Sequence, residues 1–455
     1  MTPVKKPITK LLIANRGEIA LRIAKTARRM GIKTVGVYSD ADAEALYLDY
    51  MDEKVRLGPP PPRESYLQIE KLLACAEETQ ADAVHPGYGF ISENADFAMR
   101  VQGQGMQWVG PPPDAVRKMG SKIGSRDIAR AHDVPLVPGS DGAVKTFEEA
   151  KAVADRVGYP VMVKASGGGG GIGLVRVEDE STLARTLEDA SKKAATFFGD
   201  PSVFIEKFIV RPRHIEVQVF GDKHGNLVHM GERECSIQRR NQKVIEETPS
   251  PLLSDAQRQK MFDAALRLSK AVNYNNSGTV EFVADQEGNF YFLEMNTRLQ
   301  VEHTVTEMVL GQDLVEWQLR VAAGEALPLT QQELVAKGHA MQFRICAEDP
   351  EKRFVPSPGA IERMDLPTGE GIRCDFGFGT GTKVTPYYDS LIGKLIVHAP
   401  SRAETIAKAK LALDDLKVIG IKTNIELHKK VLATEQFARG ELSTAFLTEV
   451  LQYKW

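Results

Sequence analysis

Residues 278–307, GTVEFVADQEGNFYFLEMNTRLQVEHTVTE, constrain the chain more than any other stretch. Residues 278–285 and 290–296 are rich in β-branched and aromatic side chains, and Glu287-Gly288 between them reads as a two-residue hairpin turn. A loop centred there sets Glu281 opposite Glu294 on one sheet face. Like carboxylates in that relation repel unless something positive lies between them. Asn296 follows two residues later on the same face. Two carboxylates and an amide oxygen make a partial all-oxygen shell of the kind Mg²⁺ (or Mn²⁺) takes when phosphate oxygens and water complete it. A nucleotide is therefore expected above this hairpin. Arg298, Gln300 and Glu302 continue at i+2 steps and set a fixed cation beside a carboxylate. A solvated edge strand followed by a helix cap is the plainer alternative, and the density of the cluster weighs against it.

A length of 455 residues predicts two to four domains, and 42% hydrophobic content describes an ordinary globular chain. The net charge of −3, with acidic and basic residues interspersed, argues against a nucleic-acid partner and leaves small anions open. Cys75, Cys235, Cys346 and Cys374 are far apart and lack metal-site spacing, which fits reduced thiols in a cytosol or organelle matrix. The first residues, MTPVKKPITK, lack an apolar signal core, and no run of about 18 apolar residues occurs, so no membrane role is expected and the location is expected to be cytoplasmic.

Residues 10–15 read as a short strand, Gly17 as a tight turn and 18–30 as a helix with an apolar stripe, followed by a strand at 34–38. Further strands at 83–85 and 107–110 make this an α/β unit, a small doubly wound parallel sheet over residues 1–115. The turn NRGEIA has one glycine where a dinucleotide fingerprint needs three, so nicotinamide and flavin cofactors are disfavoured. HPGYGF at 85–90 reads either as a plain turn or as a ligand loop at a strand's carboxyl end.

Residues 161–166 form a strand carrying Lys164, followed by five consecutive glycines, Gly167 to Gly171. That entropic cost suits a loop that moves or lets backbone N–H groups approach phosphate; a flexible linker is the alternative. It is not a Walker A loop, because the lysine precedes the glycines. Residues 203–208 read as a strand whose Glu206, Lys207 and Ile209 suit an adenine edge. Residues 231–243, GERECSIQRRNQK, place four basic side chains together, suiting several anionic groups at once or simply a basic solvated loop. Residues 214–220 and 384–388 read as strands, Arg344 lies in strand-like MQFRICAEDP, and a final helical stretch begins at Arg402.

Lys122, Lys164 with GGGGG, EKFI, RECSIQRRNQK, EFV…FLEMNTRLQVEH and RICAEDP, together with HPGYGF, PGSDG and PYYDSLIGKL, resemble the biotin carboxylase family of the ATP-grasp superfamily almost end to end. The resemblance implies an N-terminal Rossmann-like (pre-ATP-grasp) domain at 1–115, an ATP-grasp domain at 116–340 with a mobile glycine-rich lid at about 137–209, and a C-terminal domain at 341–455. It implies ATP binding by Lys122, Lys164, Gly168, Gly169, Gly170, Gly171, Glu206, Lys207, Ile209, His214, Gln238 and Asn241. It further implies Mg²⁺ on Glu281, Glu294 and Asn296, and bicarbonate on Lys243, Arg298, Gln300 and the Val301 N–H, with Glu302 as its base. Arg344 would stabilise the biotin enolate, and Tyr88 would line the biotin pocket. Ile172, Asn241 and Thr304 depart from residues common in the family; with Ile172 where some relatives carry a basic residue, phosphate clamping by the lid would rest more on backbone N–H groups.

The details resemble the biotin carboxylase subunit of an acetyl- or propionyl-CoA carboxylase complex. Carboxylation of biotin would then proceed through carboxyphosphate, and the chain would work as a homodimer or larger assembly. No Met-Lys-Met turn occurs and the chain ends soon after its last helix, so biotin is expected on a separate carrier protein, with a carboxyltransferase subunit completing the reaction. The alternatives are the corresponding subunit of a two-subunit pyruvate carboxylase, another ATP-grasp ligase such as a carbamoyl-phosphate or purine-pathway enzyme, or a non-catalytic nucleotide-binding subunit. Glu302, Arg298 and Lys243 speak against the last.

Overall fold

The computed structural model describes residues 5–165, 174–198 and 201–453. Among them no helix is long and apolar enough to cross a membrane. Gly168, Gly169, Gly170, Gly171 and Ile172 lie outside the described residues.

The chain opens with strands β1 (Lys10–Ile13), β2 (Lys33–Ser39), β3 (Glu53–Gly58), β4 (Ala83–His85) and β5 (Gln107–Trp108). They form a parallel sheet in the order β3-β2-β1-β4-β5. Leu11, Leu12 and Ile13 have no exposure, which is why β1 is an unbroken apolar run rather than an alternating one. The helix Gly17–Arg29 follows β1 and buries its apolar stripe against that sheet. β3 is hard to read from sequence because EKVRLG, at the sheet edge, carries three charged residues and only two apolar ones, too few for a clear strand pattern.

Strands β6 (Val161–Ala165), β7 (Leu174–Val177) and β8 (Val203–Lys207) form a separate antiparallel sheet, β7-β6-β8. With the helices Phe147–Val157 and Glu180–Phe198 it builds its own small core around Val161, Val163, Val177, Leu183, Val203 and Ile205.

The largest sheet contains β9 (Arg213–Gly221), β10 (Leu227–Arg239), β11 (Gln242–Thr248), β12 (Asn276–Ala284), β13 (Phe290–Asn296) and β14 (His339–Cys346). Its order is β13-β12-β9-β10-β11-β14, continued by the strands Leu391–Ala399 and Ile372–Phe376, with every pairing antiparallel. The helix Asp255–Ala271, capped by a reciprocal Ser254–Gln257 box, packs one face of β9, β12 and β13 through Met261, Ala264, Ala265 and Leu268. That leaves the opposite face free for polar side chains.

Three local expectations are corrected. Residues 231–243 form the β10–β11 hairpin rather than a solvated loop. Arg240 and Asn241 turn it with φ of 48° and 67°, the conformation of a tight two-residue turn in which asparagine is favoured. Of its four basic residues Arg233 is fully buried and Arg240 is exposed, so the hairpin does not present four cations at one place. Residues 384–388 are not a strand; only Lys383–Val384 pairs, and Tyr387 and Tyr388 lie in a turn. Residues 297–302 are a loop rather than an extension of β13, and Glu302 sits at the N-cap of the helix His303–Leu310.

The central hairpin reaches the expected Glu281–Glu294 pairing by another route. Its turn is three residues long, closed by Asp285 N–H to Asn289 O at 2.9 Å, with Gly288 at φ 84° and the Asp285 carboxylate accepting from the Glu287 and Asn289 N–H groups. A longer turn shifts the register, and a bulge between Glu281 and Phe282 shifts it back, leaving Leu293 47% exposed as the extra residue. Gly288→Ala is predicted to destabilise the protein by roughly 1–2 kcal/mol, because alanine pays the left-handed backbone penalty. Urea denaturation of the variant should show a lower midpoint at unchanged slope; an unchanged midpoint would refute the role given to this turn.

Candidate active site

One row across four strands carries the charge. In register, Glu294 on β13 faces Glu281 on β12, Glu281 faces Glu216 on β9, and Glu216 faces Arg233 on β10. Neighbouring strands lie only about 4.8 Å apart, so three carboxylates in file repel strongly unless cations are interleaved. Arg233 is fully buried below the row; it donates to Glu216 at 2.5 Å, Gln218 at 2.8 Å, Thr306 at 3.0 Å and Thr279 at 3.1 Å. Lys243, brought over from β11 by the tight hairpin turn, donates to Glu216 at 2.5 Å, Glu281 at 2.7 Å and Glu302 at 2.7 Å. Its ammonium is held well above its ordinary pKa: burial works against the charge, and Glu216, Glu281 and Glu302 outweigh it.

Glu302 has no solvent exposure. Burial alone would raise its carboxyl, but Lys243, Arg344 and Arg233 hold it far below the usual carboxylate range. Arg344, on β14, donates to Glu302 at 3.0 Å and to Glu246 at 2.5 Å. Glu246 keeps a raised pKa through burial even with Arg344 beside it. The sequence reading set Arg298 beside Glu302; the structure corrects this. Arg298 donates to Glu93 at 2.9 Å, Asn296 at 2.9 Å and Gln300 at 2.8 Å, while the cations on Glu302 are Lys243 and Arg344. The physical reason is that 297–302 is not an extended strand and Glu302 begins the next helix, so the period-two pattern does not carry Arg298 on to Glu302.

Above the row lies a cleft of about 1170 Å³. It is lined by Tyr88, Lys122, Lys164, Glu206, Lys207, Ile209, His214, Gln238, Asn241, Lys243, Glu281, Glu294, Asn296, Arg298, Gln300, Val301 and Arg344. Thus every described residue given a catalytic or binding role from the sequence borders the cleft except Glu302, which lies behind Lys243 and Arg344. Lys164 pairs with Glu206, which also accepts from Arg126 at 2.7 Å. Gln238 donates to the Cys235 carbonyl at 2.9 Å, and Gln300 to Glu281 at 3.0 Å. The HPGYGF segment is a shaped loop, not a plain turn: Asn15 Nδ2 donates to the Pro86 and Tyr88 carbonyls at 2.7 and 2.8 Å, and the Tyr88 hydroxyl bonds Glu18.

A divalent cation fits the outer end of the row. Among the described residues the Glu294 carboxylate, exposed at the cleft edge, has no hydrogen bond or ion pair, and partial desolvation followed by the charge of Glu281 raises its pKa. In Glu281 burial is outweighed by Lys243 and His214, so it stays ionised. With the Asn296 amide oxygen these carboxylates form a hard oxygen set in which, among the described residues, Glu281 is bonded by Lys243 and Asn296 by Arg298 while Glu294 has no positive partner.

Residue-by-residue reading missed Glu216, Glu246, Arg233, Glu93, Glu18 and Lys394. A signal existed for the first two: HIEVQVF and VIEET put a glutamate inside a buried strand, which is costly without a cation nearby.

Removing Lys243 takes the shared cation from three carboxylates, leaving Glu216 to Arg233, Glu302 to Arg344 and Glu281 to His214. Lys243→Met is predicted to destabilise the fold by about 3–5 kcal/mol at pH 8, the usual scale for a broken buried pair. In the wild type Glu281 and Glu302 have depressed folded-state pKa values, so their stabilisation is present above about pH 4.5 and is lost on acidification. In the variant the loss of Lys243 raises both values, so the penalty relative to the wild type grows with pH. Denaturation midpoints of the two proteins should therefore differ more at pH 8 than at pH 5; an equal difference at both would contradict the charge assignment.

Comparison with known proteins adds the family. The family described as Biotin carboxylase, N-terminal domain, matches residues 7–116; Carbamoyl-phosphate synthase L chain, ATP binding domain, matches 121–330; and Biotin carboxylase C-terminal domain matches 342–449. The chain is 50% identical over 445 residues to a biotin carboxylase of Halalkalibacterium halodurans, covering 98% of each. It is 47% identical over 441 residues to a pyruvate carboxylase subunit of Methanothermobacter thermautotrophicus, covering 97% of this chain and 90% of that one. A crystal structure of a biotin carboxylase–ATP complex from Campylobacter jejuni superposes with a TM-score of 0.89 at 45% identity, covering 97% of this chain and 98% of that one. With the carboxylate row, the lysine at its centre and the cleft above them, these matches place the chain in the biotin carboxylase family of ATP-grasp ligases.

Proposed function

We propose that this chain carboxylates biotin on a separate carrier protein, using ATP and bicarbonate through carboxyphosphate, as one subunit of an acyl-CoA carboxylase of acetyl- or propionyl-CoA type. The observation that carries this reading is Lys243, bonded to Glu302 at 2.7 Å and Glu281 at 2.7 Å at the floor of a cleft large enough for a nucleotide. Lys122, Lys164, Glu206, Lys207, Ile209, His214, Gln238 and Asn241 would hold the nucleotide, with the glycine-rich segment as lid. Glu281, Glu294 and Asn296 would hold Mg²⁺, which when bound neutralises charge on the phosphate oxygens.

Lys243, Arg298, Gln300 and the Val301 N–H would hold bicarbonate. Glu302 takes the bicarbonate proton, and the resulting oxyanion attacks the γ-phosphorus as ADP leaves. Arg344, facing the same cleft, stabilises the enolate of the biotin ureido group as its N1 proton is lost, and Tyr88 lines that end. Carrier protein, carboxyltransferase subunit, homodimeric or larger assembly and cytoplasmic location belong to the same reading, as does the division at 1–115, 116–340 and 341–455. The relatives carry the names of both biotin carboxylases and a pyruvate carboxylase subunit, so pyruvate is the second acceptor considered.

Glu302→Gln is predicted to bind ATP as the wild type does and to lose about 10² to 10⁴ in bicarbonate- and biotin-dependent ADP release. Wild-type turnover in a coupled assay would remove Glu302 from the role of base. For the metal, Mg-ATP is expected to raise the melting temperature of the wild type through binding linkage. The rise should be much smaller in Glu294→Gln, and an equal rise in both proteins would argue against a shared cation.

A further inference from the structure

Two residues that never reach the cleft hold the backbone on both sides of Val301. His303, without solvent exposure, places Nδ1 2.7 Å from the Gln300 carbonyl oxygen. A carbonyl only accepts, so Nδ1 carries the hydrogen. Burial, then the charges of Lys394, Arg22 and Arg373, holds the imidazole well below its ordinary pKa. The ring is therefore neutral and its Nε2 bare, in keeping with the lack of any hydrogen-bond partner at that atom. On the other side Lys394, also fully buried, donates to the Val301 carbonyl at 3.0 Å and pairs with Glu18 at 3.1 Å.

We propose that His303 and Lys394 are positioning residues for the anion site, which hold the two carbonyls flanking Val301 so that its N–H points at bicarbonate. This rests on the bicarbonate reading above. In a planar trans peptide the N–H leaves the edge opposite the C=O. With the Gln300 oxygen turned into the protein toward His303, the Val301 N–H faces away from it, on the side where Arg298, Gln300 and Val301 border the cleft. Lys394 fixes the next peptide plane, so neither rotation about Val301 is free. A donor set in place beforehand needs no reorganisation when the anion arrives.

The experiment is ADP release against bicarbonate concentration, at saturating ATP and free biotin, for the wild type, His303→Leu and His303→Asn. His303→Leu should raise the bicarbonate KM on the order of tenfold, the scale of one lost hydrogen bond to a charged ligand, and leave the ATP KM nearly unchanged. His303→Asn, whose amide nitrogen reaches the place of Nδ1, should restore most of the bicarbonate KM. A merely structural histidine would shift both KM values or neither.

A folded His303→Leu with wild-type bicarbonate KM would overturn the inference. If His303→Leu does not fold, the double variant Glu18→Gln/Lys394→Met, which removes the buried pair without leaving a lone charge, should show the same bicarbonate-selective increase; no increase there would overturn it. A wild type whose ADP release ignores bicarbonate would instead overturn the function on which the inference rests.

Discussion

The site depends on one ammonium. Lys243 stands where Glu216, Glu281 and Glu302 converge and bonds all three, whereas Arg233 reaches only Glu216 of them and Arg344 only Glu302. Two unit charges 4 Å apart interact by about 4 kcal/mol at an effective dielectric constant near 20, so three unscreened carboxylates would cost as much as a domain's whole net stability. The geometry of the β10–β11 turn thereby becomes a condition on the chemistry. Gln238 pairs with Lys243 only because two residues, Arg240 and Asn241, make the turn in left-handed conformation. A longer connection would deliver the ammonium elsewhere, and the row would have to protonate or open.

A second set of ion pairs explains why the loop at 297–302 keeps one shape although it belongs to no sheet. Glu307, on the helix that Glu302 begins, accepts from Arg22 at 2.7 Å and from Arg373 at 2.7 Å. Arg22 comes from the first helix of the parallel-sheet unit and Arg373 from a strand near the C-terminal end of the large sheet. Glu18 and Lys394 repeat the arrangement one turn away. The loop is thus clamped between the first and last parts of the chain, each supplying charges the other lacks. Apart from the partly exposed Arg373 these charges are buried, and losing one partner of such a pair costs far more than the pair itself contributes. The contacts therefore specify position more than they add stability.

The amount legible in the sequence follows from how local the determining physics is. The strands β1, β2, β6, β8 and β12 to β14 are written in short-range patterns of β-branched and apolar residues, and the carboxylate pair follows from a period-two argument. The expected pairing is found although the turn is three residues long rather than two. The three-residue loop and the bulge at Leu293 cancel, and only partners across the strand determine a bulge. Arg298 was set beside Glu302 because i+2 spacing was carried past the end of β13, where the extended conformation stops. Lys394 and Glu18 were invisible for a different reason. They are 376 residues apart by number, meet only in the folded chain, and each looks alone like an ordinary charged surface residue. Most of the nucleotide-side residues became legible only through the family resemblance, since a lone lysine or glutamine carries no signal of its own.

A carboxylate held as acidic as Glu302 is a poor base, and this bears on how the proposed reaction is ordered. Its low pKa comes from Lys243 and Arg344, both donating to it in the structure. An anion entering the cleft competes for these cations. Drawing one of them away from the carboxylate removes part of the attraction that lowers its pKa, roughly 4 kcal/mol for a unit pair at 4 Å on the same dielectric scale. Glu302 would then return toward the ordinary carboxylate range and become able to accept a proton. On this reading the base is inactive while the site is empty and is switched on by the substrate that carries the proton. The cost of withdrawing the cation is met by the new charge pair between that cation and the anion, so the exchange is close to neutral overall. This also accounts for the position of Glu302 behind Lys243 and Arg344 instead of on the cleft surface: a base exposed to water would lose this dependence on the anion, because solvent would screen the two cations before the substrate reached them.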